Sequence, residues 1–407
     1  MKISVLFIHP IGSFGGASRS LLELLKVLTD SVIAPHVICP AGQVAGILEQ
    51  QGVPVLTSAG ITQFDNTFFS YYRRLRWLIL GRELRYVAPT INALRRARLR
   101  WPRIDIIHVN ELTALPGAIL AKRLFRVPLV VHVRSVQRSM DSGLRGRVLR
   151  HLVRRHVDQL VAIDCTVRAS LPQDLPVAIV RNGFPAPQVL QDRGARARVG
   201  AFSKARPLRV ACVGGLLKLK GVYEFVEAAR LCLAAGQAVE FMLVGENPRE
   251  LSGIKGYLFK RFGFAADVRS ELLALIEQHQ MHQHVKIVGF TQDIAAVYDA
   301  VDVLCFPSHL NACGRPVFEA AFSFVPSIVA VDAPQDDTIV DGVTGICIDA
   351  RDPQAIADAI GVLYGDPARL ERMGIAAFEL AKQNFDIASN TSNMIDIYER
   401  LARPAPL

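Results

Sequence analysis

Two glycine-rich loops have the composition of loops that bind phosphate groups. One contains Gly15 and Gly16 before a helix-like stretch, and the other contains Gly214, Lys218 and Lys220. Such a turn exposes backbone N–H groups that suit a phosphate or a sugar oxygen, and a lysine there neutralises a diphosphate leaving group. Neither loop has the residue order of the dinucleotide or Walker motifs. A tight turn with solvated lysines is the alternative interpretation.

A third candidate site is the polar loop and helix-like stretch at residues 307–319. The loop contains Asn311, Cys313, Gly314 and Arg315, and the stretch after it carries Glu319 among apolar neighbours. Loop amides at the end of a strand, together with a carboxylate that accepts two hydrogen bonds, suit the hydroxyl groups of a sugar. An internal cap or ion pair is the alternative role for Glu319.

Strands and helices must position these residues, and the two kinds of stretch alternate along the chain. Short apolar runs rich in Val and Ile predict strands at 3–8, 34–39, 104–108, 129–133, 159–163, 177–180, 209–213, 238–244, 285–288, 303–306, 327–331 and 345–348. Amphipathic stretches such as 20–28 and 114–125 lie between them. This alternation predicts an α/β fold whose parallel sheets are covered on both faces.

Length and charge indicate two domains. A chain of 407 residues accommodates two or three domains, and the strand–helix pattern restarts after a stretch near 185–207 that contains Pro, Gly and Arg. Residues 1–190 have a net charge of +14, whereas residues 191–407 have a net charge of −4. We predict a domain at 1–190 that meets an anionic partner and a second domain at 205–384. Two doubly wound sheets that face each other form a cleft between them.

Two arginine-rich segments interrupt the first half. Residues 64–103 contain ten arginines, and Arg73, Arg74, Arg76 and Trp77 lie in an aromatic stretch of this segment; residues 134–155 contain seven arginines. Basic helices with aromatic side chains bind anionic membrane surfaces, and a solvated basic face is the alternative. We predict no nucleic-acid partner, because no nucleic-acid-binding module is recognisable.

Cysteine usage and hydropathy favour a cytoplasmic protein. The seven cysteines are scattered and form no Cys-x-x-Cys pair, which disfavours disulfides and a cysteine zinc site. No apolar run reaches the ~18 residues that span a membrane, and the first apolar run is short for a signal peptide. We predict cytoplasmic localisation, with peripheral attachment to the inner face of the membrane.

The chain resembles the group 1 glycosyltransferases of family 4 at several motifs. They are Gly15-Gly16, Val213-Gly214, Lys220-Gly221, residues 298–303, Pro307-Ser308, Glu319-Ala320, residues 326–330 and residues 339–345. The resemblance covers nearly the whole chain and is strongest over residues 210–360. It implies the GT-B fold, with two Rossmann-like domains across a cleft, and sugar transfer with retention. It also implies that no metal or other cofactor is required, and no Asp-x-Asp pair is present.

The same resemblance implies a role for each candidate residue. The second domain would bind a nucleotide-diphosphate sugar and the first a glycan or lipid-linked acceptor, while a helix at 386–402 would return to the first domain. Glu319 would hold ribose hydroxyls, Lys220 would contact the diphosphate, and His132 would stand beside the reacting sugar; a buried structural histidine is the alternative. The donor-binding residues implied are Gly15, Gly16, Gly214, Lys218, Lys220, Gly245, Asn311, Cys313, Gly314, Arg315 and Glu319.

Two positions depart from the family pattern. Asn311 stands where the family has the first glutamate of its E-x7-E element, and Gly215 replaces an arginine of the phosphate loop. These departures favour a second hypothesis, a catalytically weakened relative that binds a nucleotide sugar or glycan. A nucleotide-sugar epimerase or a glycogen-type phosphorylase is a third hypothesis. The other motif residues favour the enzyme, a glycosyltransferase of cell-surface polysaccharide or glycolipid synthesis.

Overall fold

The computed structural model of the protein describes residues 2–68, 72, 79–185, 202–247, 267–291 and 293–403. The chain divides into two compact units, one comprising Met1–Pro185 with Phe385–Leu407 and the other comprising Ala186–Asn384. Four residues of the predicted membrane or acceptor site lie outside the described residues, and so does most of the predicted linker. The four are Arg73, Arg74, Arg76 and Trp77.

The first unit contains a sheet of seven parallel strands in the described part of the chain. They are β1 (Ile3–Ile8), β2 (Ile33–Pro40), β3 (Val55–Ser58), β4 (Ile106–Val109), β5 (Leu129–Val133), β6 (Gln159–Ala162) and β7 (Val177–Ile179). Their order is β3-β2-β1-β4-β5-β6-β7, so the chain winds outward from β1 in both directions. All residues of β4 and β5 are buried, as a parallel strand covered on both faces requires.

Helices cover the first sheet. They are α1 (Gly16–Thr29), α2 (Gln43–Gln50), α3 (Ile79–Arg85), α4 (Val87–Arg100), α5 (Leu115–Phe125), α6 (Gly143–His156), α7 (Cys165–Ala169) and the last helix, α14 (Ile387–Ala402). Met394 and Tyr398 of α14 share a buried cluster with Phe7 of β1, and the Tyr398 hydroxyl lies 2.7 Å from Nδ1 of His108. The last helix therefore packs into the core of the first unit, more than 200 residues from that unit's other elements in sequence.

The second unit contains a six-stranded parallel sheet among its described residues. Its strands are β8 (Leu208–Val213), β9 (Val239–Val244), β10 (Val285–Gly289), β11 (Val303–Phe306), β12 (Ser327–Ala330) and β13 (Gly345–Ile348), in the order β10-β9-β8-β11-β12-β13. Its helices are α8 (Val222–Ala234), α9 (Val268–Gln278), α10 (Ile294–Ala300), α11 (Arg315–Ala321), α12 (Pro353–Gly365) and α13 (Pro367–Phe385).

The predicted α/β class is confirmed, and each predicted strand is present with ends that differ by at most two residues. The strand β3 was not predicted, because its four residues include Thr57 and Ser58 and make a weak apolar run. The helix predicted at 20–28 begins four residues earlier, at Gly16. Within the described part of the chain, no helix has the length and apolar character needed to cross a membrane.

Candidate active site

In the second unit, the loops that follow β8 and β11 pack against each other at the carboxyl edge of the sheet. These strands are neighbours, and the backbone N–H of His309 donates to the Leu219 carbonyl over 2.9 Å. Gly221 has a φ of +71°, and a Cβ there would lie 2.0 Å from the Pro307 carbonyl oxygen. Only glycine meets both conditions, so Gly221 sets how closely the two loops approach.

The ring of Phe306, at the end of β11, brings Lys220 and Gly314 together. The amino group of Lys220 lies 5.1 Å from the ring centroid, within the range of a cation–π contact. A Cβ on Gly314 would lie 2.4 Å from the tip of the same ring. Burial lowers the pKa of Lys220, and among the described residues no carboxylate forms an ion pair with it. The structure therefore holds a half-buried cation with no anionic partner in the described chain.

Glu319 is buried on α11 and accepts hydrogen bonds from Arg315 and Tyr298 of its own unit. Arg315 Nε donates to Oε1 over 2.8 Å, and the Tyr298 hydroxyl donates to Oε2 over 3.0 Å. This ion pair is the alternative that the sequence left open. A carboxylate offers about four acceptor positions, and Arg315 and Tyr298 orient this one. Tyr298 was not predicted as a site residue, because no local spacing connects it with Glu319.

Asn311 joins the loop after β11 to the loop after β12. Its Nδ2 donates to Asp332 Oδ2 over 3.0 Å, and the Asp332 backbone N–H donates to Asn311 Oδ1 over 2.7 Å. Asn311 has a φ of +50°, a left-handed conformation that asparagine tolerates better than most residues. A carboxylate, that of Asp332, therefore lies beside the position where the family places a glutamate.

The remaining predicted residues of the second unit lie at the same sheet edge. Gly245, which follows β9, has a φ of +154°, and a Cβ there would lie 1.8 Å from the Gly214 carbonyl oxygen. The loops after β8 and β9 are therefore in direct contact. Lys218 is exposed in the short 3-10 turn Lys218–Lys220, and Cys313 is half-buried beside Gly314.

Gly15, Gly16 and His132 belong to the first unit. The helix α1 begins at Gly16, and Gly15 has extended backbone with no heavy atom within 4 Å of a Cβ built there. Ser18 on the first turn donates to the Ser13 carbonyl over 3.0 Å. Its oxygen also lies 3.0 Å from Nε2 of His9, at the end of β1. The first glycine loop is thus fixed to the strand that precedes it.

Arg134 is a cation at the carboxyl edge of the first sheet. Its Nε donates to Asn110 Oδ1 over 2.8 Å, its Nη1 donates to Asn182 Oδ1 over 2.7 Å, and its Nη2 lies 3.5 Å from His132 Nδ1. Burial, together with the charge of Arg134, lowers the pKa of His132 well below its ordinary value and that of His9 to about 3. These histidines are neutral near pH 7, so the positive charge resides on Arg134.

Glu111, which follows β4, is a titratable acid that sequence reasoning missed. The Leu112 backbone N–H donates to its Oε1 over 2.8 Å, and the Ser135 hydroxyl donates to its Oε2 over 2.8 Å. Burial raises the pKa of Glu111 to about 7, against the lowering effect of these hydrogen bonds. The group can therefore hold or release a proton near neutral pH. Its burial follows from the fold, and the sequence around Glu111 contains no pattern that predicts a buried acid.

Each of the two units contains a match to a family model. Residues 197–380 match the model of the glycosyl transferases group 1, and residues 15–183 match that of the glycosyl transferase 4-like domain. The chain belongs to the group 1 glycosyltransferases of family 4. It is thus an enzyme that transfers glycosyl groups, and the predicted family is confirmed.

Relatives of this glycosyltransferase agree with the assignment. Glycogen synthase of Mycobacterium tuberculosis is 21% identical over 329 residues, which are 75% of this chain and 73% of the relative. D-inositol 3-phosphate glycosyltransferase of Corynebacterium kroppenstedtii is 36% identical over 115 residues, 28% of this chain and 25% of the relative. The crystal structure of Anabaena HepE with UDP has a TM-score of 0.72 at 22% identity and covers 98% of this chain and 100% of that one. The predicted GT-B fold is confirmed.

Within the described ranges of this glycosyltransferase, no group of three or more His, Cys, Asp or Glu side chains is arranged to hold a metal ion.

Proposed function

We propose that this glycosyltransferase moves a sugar from a nucleotide-diphosphate sugar to a hydroxyl group of a glycan or lipid-linked acceptor. The observation that carries this proposal is the Lys220 cation, which has no ion-pair partner among the described residues and lies at the same sheet edge as the Arg315–Glu319 pair. A nucleoside diphosphate offers its anionic diphosphate to Lys220 and its ribose diol to Glu319. The UDP bound in the HepE structure supports this choice of donor.

Lys220 would act on the leaving group. As the bond between the sugar C1 and the diphosphate oxygen breaks, negative charge grows on that oxygen, and a positioned cation stabilises it. Removing one preorganised partner of such a charge costs about 3 kcal/mol. Glu319 would accept the ribose hydroxyls, with its carboxylate oriented by Arg315 and Tyr298.

We propose transfer with retention and without a metal. The acceptor oxygen bonds to C1 on the face that the diphosphate leaves, and the acceptor proton passes to the departing phosphate oxygen. In this scheme Lys220 supplies the positive charge that a metal ion supplies in metal-dependent enzymes. The absence of an Asp-x-Asp pair from the sequence supports this scheme.

The acceptor would bind at the carboxyl edge of the first sheet. His132 is neutral there and can exchange hydrogen bonds with sugar hydroxyls. Asn110 and Asn182 hold the guanidinium of Arg134 in place beside it. We place the reaction in the synthesis of a cell-surface polysaccharide or glycolipid. The capsular polysaccharide glycosyltransferase CapM of Staphylococcus aureus, 25% identical over 166 residues, supports this placement.

A second candidate function is a catalytically weakened protein that binds a nucleotide sugar without transferring it. The neutral Asn311 at the family's first glutamate position favours it. The carboxylate of Asp332, bonded to Asn311, favours the enzyme because it returns an acidic group to this position. Turnover separates the two functions, since the weakened protein binds the donor and releases no nucleoside diphosphate in the presence of acceptors.

The test is release of nucleoside diphosphate from a panel of UDP- and GDP-sugars. We expect Lys220→Ala and Glu319→Ala each to lower turnover by about 100-fold or more, while Lys286→Ala, at an exposed lysine of β10 in the same unit, stays near the wild type. Glu319→Gln, which keeps the shape of the side chain, replaces Glu319→Ala if that variant unfolds. Near-normal turnover in the Lys220 and Glu319 variants would refute the site.

We also propose that the protein attaches peripherally to the cytoplasmic face of a membrane. Arg95 and Arg96 are exposed on α4, and Leu99 on the same helix is 84% exposed. Exposed basic and apolar side chains on one helix bind anionic bilayers. Co-sedimentation should be stronger with vesicles that contain phosphatidylglycerol than with neutral vesicles, and Arg95→Gln/Arg96→Gln should reduce the difference. Equal partitioning onto both vesicles would contradict electrostatic attachment.

A further inference from the structure

The first turn of α8 contains an acid, Glu224, that is bonded to the loop after β11. Its Oε1 lies 3.0 Å from Nε2 of His309, and the side chains of Glu224 and His309 are only 15% and 4% exposed. An ionised carboxylate can only accept hydrogen bonds, so the Nε2–H of the histidine is the donor. This pair joins the helix that follows the turn Lys218–Lys220 to the loop that begins at Pro307.

His309 is also bonded through its backbone to the residue that precedes Lys220. The His309 N–H donates to the Leu219 carbonyl over 2.9 Å, and the hydroxyl of the fully buried Ser308 donates to the same oxygen over 3.3 Å. The Lys220 N–H in turn donates to the Leu217 carbonyl over 2.8 Å. A shift of His309 would therefore move the backbone that carries the Lys220 amino group.

The pair of Glu224 and His309 is a poor source of folding stability. Glu224 Oε2 is buried and receives no hydrogen bond within the described ranges of the chain. A buried carboxylate with one unpartnered oxygen is less favourable than apolar side chains of similar size. Proteins retain such local costs at functional sites. The position that the pair gives to the loop explains its presence better than a contribution to folding does.

We propose that Glu224 is a positioning residue for the transfer reaction. Through His309 it fixes the Leu219 carbonyl, and it thereby holds the Lys220 amino group where the donor diphosphate binds. The loop contacts the lysine segment at two points, because the ring of Phe306, three residues before His309, also faces the Lys220 amino group. This inference rests on the proposed function, since it requires that Lys220 binds the diphosphate.

The experiment measures kcat/KM for release of nucleoside diphosphate by variants of the full chain. Glu224→Met removes the acceptor and keeps a side chain of similar length. It should lower kcat/KM by about 10- to 10²-fold, because a misplacement of about 1 Å costs up to about 10²-fold. Glu224→Gln, which still accepts the bond from His309, should recover most of this loss. Glu227→Met is the matched control, since it breaks an ion pair with Arg230 on the same helix and should stay near the wild type.

Two readouts separate positioning from a merely structural role. In the Lys220→Met background, Glu224→Met should change kcat/KM by less than about twofold, because both substitutions act through the same amino group. The double variant Glu224→Met/His309→Leu leaves no buried polar atom of the pair unpartnered. It should therefore unfold at or above the temperature of the wild type and still show the loss of kcat/KM. This variant also decides the outcome if Glu224→Met alone does not fold.

Two results would overturn the proposal: wild-type kcat/KM in Glu224→Met or in the double variant, or a loss in Glu224→Met that is undiminished in the Lys220→Met background. Failure of the proposed function gives a different result, because Lys220→Met would then keep the activity of the wild type. If the wild type binds UDP or GDP without turnover, the calorimetric affinity for that nucleotide replaces kcat/KM in every comparison. The same non-additivity with Lys220→Met is then expected.

Discussion

Replacing Lys220 by methionine should raise or maintain the stability of the free protein while it weakens donor binding. The amino group lies 5.1 Å from the Phe306 ring centroid, and burial lowers its pKa. The free protein therefore bears a desolvated charge that the bound diphosphate would neutralise. Methionine is unbranched like lysine and one heavy atom shorter, and it places sulfur near the aromatic ring, a favourable contact.

The expected loss follows from Coulomb's law. A unit charge pair about 4 Å apart, at an effective dielectric constant of about 20, interacts by about 4 kcal/mol. This value agrees with the 10²–10³-fold losses that follow removal of one preorganised group. We therefore expect Lys220→Met to lower kcat/KM by about 10²–10³-fold. The affinity for UDP or GDP, whichever nucleotide the wild type binds, should also fall.

Thermal unfolding with and without the nucleoside diphosphate measures both effects in one assay. Binding to the native state alone raises the melting temperature, so the wild type and Lys286→Met should shift upward and Lys220→Met should shift much less. Lys286 is a control because it is an exposed lysine on β10 of the same unit and is not among the predicted donor-binding residues. A nucleotide-induced shift in Lys220→Met equal to that of the wild type would refute the reasoning, and so would a large loss of stability in its free form.

Three further perturbations address the rest of the site. Burial raises the pKa of Glu111 from 4.5 to about 7, so its contribution to stability is complete below pH 4.5 and is lost as the pH rises through 7. Between pH 4 and pH 8, the free energy of unfolding of Glu111→Gln in urea should therefore rise by about 3 kcal/mol relative to that of the wild type. A difference between the two proteins that does not change with pH would contradict this. Asn311→Glu should lower turnover, because it places a second carboxylate beside that of Asp332 and puts glutamate at a left-handed φ. Adding Asp332→Asn to this variant should partly restore turnover. Higher turnover in Asn311→Glu alone than in the wild type would refute this explanation. Gly221→Ala should destabilise the second unit by about 2–4 kcal/mol, because the added Cβ would overlap the Pro307 carbonyl. Thermal unfolding measures this loss, and an unchanged melting temperature would refute the close approach of the loops after β8 and β11.

The sequence predicted the strands and loops well because both depend on local composition. Buried parallel strands are short, largely apolar runs, and such runs identify β1, β5 and β11 directly. The short strand β3 lacked this signal. The family motifs located the loops at residues 214–221 and 307–315, because these motifs are contiguous in the chain.

The partners within the site were beyond sequence reasoning because they depend on strand order. Lys220 meets Phe306 only because β8 lies next to β11, although β9 and β10 separate these strands in the chain. The bonds from Tyr298 to Glu319 and from Asn311 to Asp332 likewise join separate elements. In the first unit, the raised pKa of Glu111 results from its burial. No residue pattern in the sequence predicts that burial.

The most direct test of the central claim is a crystal structure of the protein with its nucleoside diphosphate. We expect the phosphates to lie within hydrogen-bonding distance of the Lys220 amino group and the ribose hydroxyls to bind the Glu319 carboxylate. A nucleotide bound with its phosphates away from Lys220, or with its ribose away from Glu319, would contradict it.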